Sequence, residues 1–225
     1  MVERPGLTYL LKNSIYIVGI TITLTLGAET LHHVGIWMYV GATVCISAAN
    51  LLAMDRSLIA ERSHLQQGTP RWDIALSVFV ALWGPLLVLV VSALDIRLRW
   101  STLEHLGIQI PALLVFLLSS LLATWAMRVN RFFSATVRIQ SDRGHTVVDT
   151  GPYRFVRHPG YTGAVIGILA TPFLLGSFVA LVPAAAVAGG YIIRTRKEDT
   201  LLHWQLPGYD EYAQRVRCRL LPGIW

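Results

Sequence analysis

Charge is scarce in this sequence: 14% of its 225 residues are Asp, Glu, Lys or Arg, where a soluble domain carries roughly a quarter. With 54% hydrophobic residues and a mean hydropathy of +0.53, that shortage excludes an ordinary soluble domain and points to an integral membrane protein. Cysteine is scarce too. Cys45 in an apolar stretch and Cys218 in a basic tail provide neither a disulfide framework nor metal-ligand spacing. No Ser/Gly/Pro-rich linker divides the chain, so residues 1–225 read as one domain. No internal repeat is visible, which argues against the inverted-repeat transporters. The apolar run after Lys12 has no small-residue cleavage site and meets Glu29 at its end, so it reads as a retained membrane helix and not as a removable signal.

What the sequence does have is long apolar runs. Ser14–Leu31, Ile36–Met54, Ile74–Leu94 and Ile108–Met127 each approach the roughly 20 residues that a spanning helix needs. Two shorter runs, Tyr161–Leu175 and Phe178–Ile193, flank Gly176-Ser177 and predict a tight helical hairpin that is tilted, re-entrant or fully crossing. Cytoplasmic loops collect positive charge, and the cations are unevenly divided. With a cytoplasmic N-terminus, that side takes Arg4, Lys12, Arg56, Arg62, Arg71, Arg128, Arg131, Arg138, Arg143, Arg154, Arg157, Arg194, Arg196, Lys197, Arg215, Arg217 and Arg219, leaving Arg97 and Arg99 opposite. The N-terminus, the loop 128–160 and the tail after Ile193 are therefore expected on one cytoplasmic face of a multi-pass protein. The net charge of +6 follows from this bias and from attraction to anionic membrane lipids. A nucleic-acid partner is not expected.

Polar chemistry concentrates in two places. In the loop, "GPYRFVRHPGYTG" (Gly151–Gly163) marks a turn at Gly151-Pro152, and Pro159 forces His158 out of helical geometry so that a helix begins at Pro159 or Gly160. His158 then sits at a helix N-terminus, where free N–H groups favour an anionic ligand group, beside the aromatic faces of Tyr153 and Tyr161. In the tail, Arg194 and Glu198 lie four apart and share a helix face, a pair suited to a ligand bearing both a carboxylate and an ammonium.

These residues resemble the isoprenylcysteine carboxyl methyltransferases and the related phospholipid methyltransferases, membrane enzymes that use S-adenosylmethionine. The likeness covers about the last hundred residues: an RHPxYxG segment at Arg157–Gly163, a hydrophobic hairpin, the acidic pair Glu198-Asp199, Tyr209 with Tyr212, and a basic stretch from Arg215 to Pro222. Residues 1–122 match only as generic membrane helices. The resemblance implies an all-α integral membrane protein of about five to six transmembrane helices. Residues 1–128 would give four of them, and 129–225 the RHPxY loop, the short helical hairpin and the tail that form the cofactor site. It implies that S-adenosylmethionine meets Gln140, His145, Thr146, Val147, Val148, Tyr153, His158, Pro159, Gly160, Tyr161 and Glu198, and that Arg194 orients the acceptor. It implies methyl transfer to a hydrophobic, lipid-like or prenylated acceptor, including an isoprenylcysteine-type carboxylate. The alternatives are a phospholipid amine N-methyltransferase and an NADPH-dependent sterol-type reductase. The family's usual double glutamate is Glu198-Asp199 here, and "LPGY" replaces its common Phe-Gly before the tyrosine.

Several features also have plainer readings. Arg154 and Arg157 read as interfacial anchors, and Glu198 as an ion-pair partner of Arg194 or Arg196. Asn130, Phe132 and Phe133 read either as the site entrance or as interfacial packing. His32-His33 lacks further ligands at metal spacing, so no metal is expected. Trp72, Trp83, Trp100 and Trp125 form an aromatic belt.

Overall fold

The computed structural model describes residues 5–54, 56–63 and 69–225. Arg4 and the side chain of Arg56, both counted above among the cytoplasmic cations, lie outside the described residues. The architecture is all-helical: α1 (Pro5–Ala28), α2 (Val34–Ala53), α3 (Arg56–Ser63), α4 (Arg71–Val78), α5 (Gly84–Leu98), α6 (Leu106–Val129), α7 (Pro159–Leu175), α8 (Leu181–Gln205) and α9 (Tyr209–Arg215). Four stretches are long and apolar enough to cross a membrane, namely Tyr9–Ala28, Val34–Ala53, Arg71–Leu98 and Leu106–Val129. They overlap the four expected runs. Leu26, Leu52, Leu118 and Val182 are 66–88% exposed, an apolar exterior that lipid covers and water does not tolerate. This is an integral membrane protein.

In hydrocarbon every polar group needs an internal partner, and α1 shows how that is met. Thr21, Thr23 and Thr25 each return their hydroxyl to the carbonyl four residues back at 2.8 Å. The helix stops at Glu29, whose φ is +50°. The third span is α4 and α5 joined through one wide π turn, Phe79–Trp83. Pro85 explains the widening: it has no N–H and its ring crowds the carbonyl four residues earlier. The Val80 carbonyl in that turn accepts the Tyr191 hydroxyl at 3.3 Å.

Small residues set the helix spacing, as expected where helices meet within lipid. α6 and α7 pair most closely; a Cβ on Gly163 would strike the Ser119 carbonyl, and Gly167 lies over the Ser119 hydroxyl. The core beside this pair joins Leu24 of α1, Ile36 of α2, Leu89 of α5 and Leu174-Leu175 of α7.

The expected hairpin is present with different proportions. α7 turns at Gly176, φ +71°, and Asp95 pins the turn by accepting from the Ser177 and Ser101 hydroxyls at 2.6 Å each. α8 does not stop near Ile193; it runs twelve residues further, to Gln205, so the hairpin's second arm is a long helix with an apolar start and a charged end. α7, at 17 residues, is the shorter arm. The Glu29–Arg97 pair, the 104–105 loop and the Gly176 turn gather at one end of the bundle. The loop after α6, the start of α7 and the end of α8 gather at the other.

Candidate functional site

At that second end the chain from Asn130 to His158 has only two short 3-10 turns, Ser141–Arg143 and Gly151–Arg154, and side-chain bonds replace helix bonds. Asn130 closes α6: its carbonyl oxygen accepts the Phe132 N–H at 2.8 Å and its amide donates to the Tyr153 hydroxyl at 3.1 Å. Gln140 is buried, donating to the Phe132 carbonyl at 2.7 Å and accepting from Arg143 at 2.6 Å. Gly144, at φ +61°, lets the chain reverse, so that the Gln140 N–H donates to Nδ1 of His145 at 3.3 Å and Nε2 carries the imidazole proton. Burial, and then the charges of Arg138 and Arg143, push His145 down to about 4. It is neutral near pH 7, and its ring lies 4.5 Å from that of Phe132.

The loop is fastened to α8 and the tail by one carboxylate. Asp199 is fully buried and accepts five hydrogen bonds: from Arg157 Nε and Nη2 at 2.8 and 2.9 Å, Arg219 Nε at 2.7 Å, the Tyr209 hydroxyl at 2.9 Å and His158 Nε2 at 3.2 Å. Burial alone would raise this carboxyl, but the His158, Arg157 and Arg219 bonds outweigh it and hold it far below the usual carboxylate range. Arg157 also donates to the carbonyls of Val216 and Arg217 at 2.8 Å each. The backbone N–H groups of Arg157 and His158 reach the tail carbonyls of Cys218 and Arg219 at 2.9 Å. Arg157 is therefore a buried structural cation and not an interfacial anchor; its neighbour Arg154 has only its exposed place in a short turn.

One residue earlier on α8, and about 100° round the helix, Glu198 points the other way. One of its oxygens accepts the Tyr161 hydroxyl at 2.5 Å; the other has no partner among the described residues. It belongs to the wall of a cleft holding about 820 Å³ between its walls, open side included. Gln140, His145, Thr146, Val147, Val148, Tyr153, His158, Gly160, Tyr161 and Glu198 all line this cleft. Pro159, the first residue of α7, does not face it. Gly160 leaves room for the Phe133 ring, which a Cβ there would strike. The His158 and Tyr161 rings stack at 5.9 Å with an interplanar angle of 9°.

Arg194 lies outside the lining, and its partner is not Glu198. It donates to Asp73 from Nε at 2.8 Å and from Nη2 at 3.3 Å, and to the Ala135 carbonyl at 2.8 Å, while its guanidinium stands 5.4 Å from the Tyr161 ring. Asp73 is fully buried on α4, 121 residues away in sequence. Spacing along α8 places Arg194 and Glu198 on one face, yet only a tertiary contact decides which carboxylate the arginine takes.

Sequence reasoning passed over Asp199, Tyr209 and Tyr212 as site-builders, although their order was visible. The Tyr212 hydroxyl donates to the Tyr153 carbonyl at 2.8 Å, holding the floor beneath the cleft. Asn130, Phe132 and Phe133 line the cleft, which favours the first of their two readings. The neighbouring acids Glu198-Asp199 were the available signal, since adjacent helix positions face different surroundings.

Residues 112–204 match the sequence model of the isoprenylcysteine carboxyl methyltransferase (ICMT) family. The chain is 32% identical over 111 residues to a protein-S-isoprenylcysteine O-methyltransferase of Schizosaccharomyces pombe, covering 48% of this chain and 47% of that one. It is 30% identical over 93 residues to a probable protein-S-isoprenylcysteine O-methyltransferase of Oryza sativa subsp. indica, covering 40% and 49%. A cobalt-zinc-cadmium resistance protein, CzcN, of Cupriavidus metallidurans is 30% identical over 139 residues, covering 61% of each chain. The chain spans about half the length of the curated isoprenylcysteine methyltransferases it matches.

Proposed function

We propose that this chain, whose residues 112–204 match the isoprenylcysteine carboxyl methyltransferase family model, is a membrane methyltransferase of that kind. It would use S-adenosylmethionine to methylate an oily acceptor, with the cleft end of the bundle on the cytoplasmic side. The carrying observation is that two polar segments far apart in sequence, the 130–161 loop and the last turns of α8, wall one cleft beside lipid-facing helices.

The residues present fit the cofactor. The rings of Phe132, Phe133 and Tyr153 suit an adenine, and the unpartnered oxygen of Glu198 suits the amino acid ammonium or a ribose hydroxyl. His145, neutral and protonated on Nε2, is a donor near pH 7. Bound there, S-adenosylmethionine supplies a methyl group on a cationic sulfur, which leaves with the bonding pair as a neutral thioether when an acceptor atom takes the methyl. The protein's part is positioning and exclusion of water. Tyr161 fixes the rotamer of Glu198, the Asp199 knot fixes His158, and Arg194, itself held by Asp73, keeps an Nη1 that makes no hydrogen bond among the described residues. An acceptor carboxylate is already ionised near neutral pH and needs no general base.

Calorimetry on the detergent-purified protein tests this. S-adenosylhomocysteine is expected to bind and NADPH not to bind, and Glu198→Ala is expected to weaken the first by about tenfold or more through loss of a charge-assisted bond. Binding of NADPH alone overturns the proposal.

A further inference from the structure

Arg62, near the cleft, has no counter-charge among the described residues. It lies on α3 and is part-buried, and among the described residues its Nη1 reaches only the Phe133 carbonyl at 3.5 Å. Its guanidinium stands 5.4 Å from the centre of the Phe133 ring. No carboxylate among the described residues lies within ion-pair distance of it. The adjacent Glu61 is turned to Arg138, whose Nε and Nη2 approach at 3.1 and 3.0 Å. Burial is the largest influence on Arg62 and works against its charge, and the nearby charge of Arg194 works the same way.

Arg62 and Arg194 therefore reach the same short stretch of loop, at the carbonyls of Phe133 and Ala135. Nε and Nη2 of Arg62, and Nη1 of Arg194, make no hydrogen bond among the described residues. Asp73 balances one of the two guanidiniums. A desolvated, uncompensated guanidinium is costly in an unliganded fold, and a planar fork of free N–H donors is the geometry that takes an anionic group.

We propose that Arg62 is a second positioning residue for the acceptor, closing with Arg194 around an anionic head group so that uncharged and cationic heads are disfavoured. This rests on the methyltransferase reading and deepens it, because it assigns the charge of the acceptor's reacting end to a residue outside the family-matched segment 112–204. The oily body of the acceptor then extends towards the apolar layer, and the head meets the two arginines.

The test uses the full chain in detergent, titrated with N-acetyl-S-farnesylcysteine and with its carboxamide, for wild type, Arg62→Gln and Arg62→Lys. S-adenosylhomocysteine is titrated in parallel. Wild type is expected to prefer the acid by about tenfold or more, the strength of a charge-assisted fork. Arg62→Gln should lose that preference with carboxamide affinity unchanged, and Arg62→Lys should restore part of it. S-adenosylhomocysteine affinity should stay within about twofold throughout. In turnover, Arg62→Gln should raise KM for the acid more than it lowers kcat. Equal binding of acid and carboxamide by wild type overturns the proposal, and so does an Arg62→Gln variant that weakens both ligands alike or neither. If wild type binds no S-adenosylhomocysteine, the methyltransferase reading fails, while the acid-to-carboxamide ratio still reads the clasp.

Discussion

Replacing Asp199 by Asn keeps the shape of the side chain and removes its charge. Five donor atoms converge on this carboxylate, three of them from two guanidinium groups, and Arg157 is 7% exposed. An amide can accept at one oxygen only and presents its own N–H groups to donors, so at least one guanidinium is left buried without a counter-charge. Breaking a buried pair in this way costs roughly 3–5 kcal/mol. At roughly 2–4 °C per kcal/mol for a chain of this size, the melting temperature falls by about 6–20 °C. The damage is directional, because Asp199 ties His158 and the tail to α8. Affinity for S-adenosylhomocysteine should fall with stability, and Asp199→Glu, which keeps the charge, should retain part of both. The assay is thermal unfolding in detergent with and without ligand. An Asp199→Asn protein that melts within about 1 °C of wild type and binds S-adenosylhomocysteine equally well would refute the claim that this carboxylate assembles the site.

Two other outcomes follow from the same structure. His145 has a folded value near 4 against an ordinary 6.5, so the unfolded chain binds its proton first as pH falls. Its stabilising contribution is complete above about pH 6.5 and erodes towards pH 4; His145→Asn, which can still accept the Gln140 N–H, should flatten that part of the melting-temperature profile. Asp199, held low, should contribute no loss until more acidic pH. Gly163→Ala places a methyl against the Ser119 carbonyl and should destabilise the α6–α7 pair by about 1–3 kcal/mol, seen as a lower melting temperature without a change in acceptor preference.

The apolar runs were legible because a spanning helix must satisfy its own backbone and face lipid, and both demands are local. Their ends were less so. The third span starts at Arg71 rather than near Ile74 because Asp73 is paid for by Arg194, a contact across 121 residues. The hairpin's second arm was read as ending near Ile193 because hydropathy marks where the apolar layer stops, whereas α8 keeps its hydrogen bonds through RTRKEDTLLHWQ. In the site, motif order brought ten expected residues to one cleft. The same order could not say that Arg157 is buried, or that Glu198 and Asp199 divide between the cleft and the knot. Those facts depend on which face of α8 the tail covers.

Hydrogen–deuterium exchange on the intact protein, with and without S-adenosylhomocysteine, tests the central claim most directly. Two segments that wall one cleft should gain protection together: the loop from Asn130 to Tyr161 and the stretch from Arg194 to Tyr212. Protection confined to one of them, or absent from both while the ligand is bound, would contradict the account.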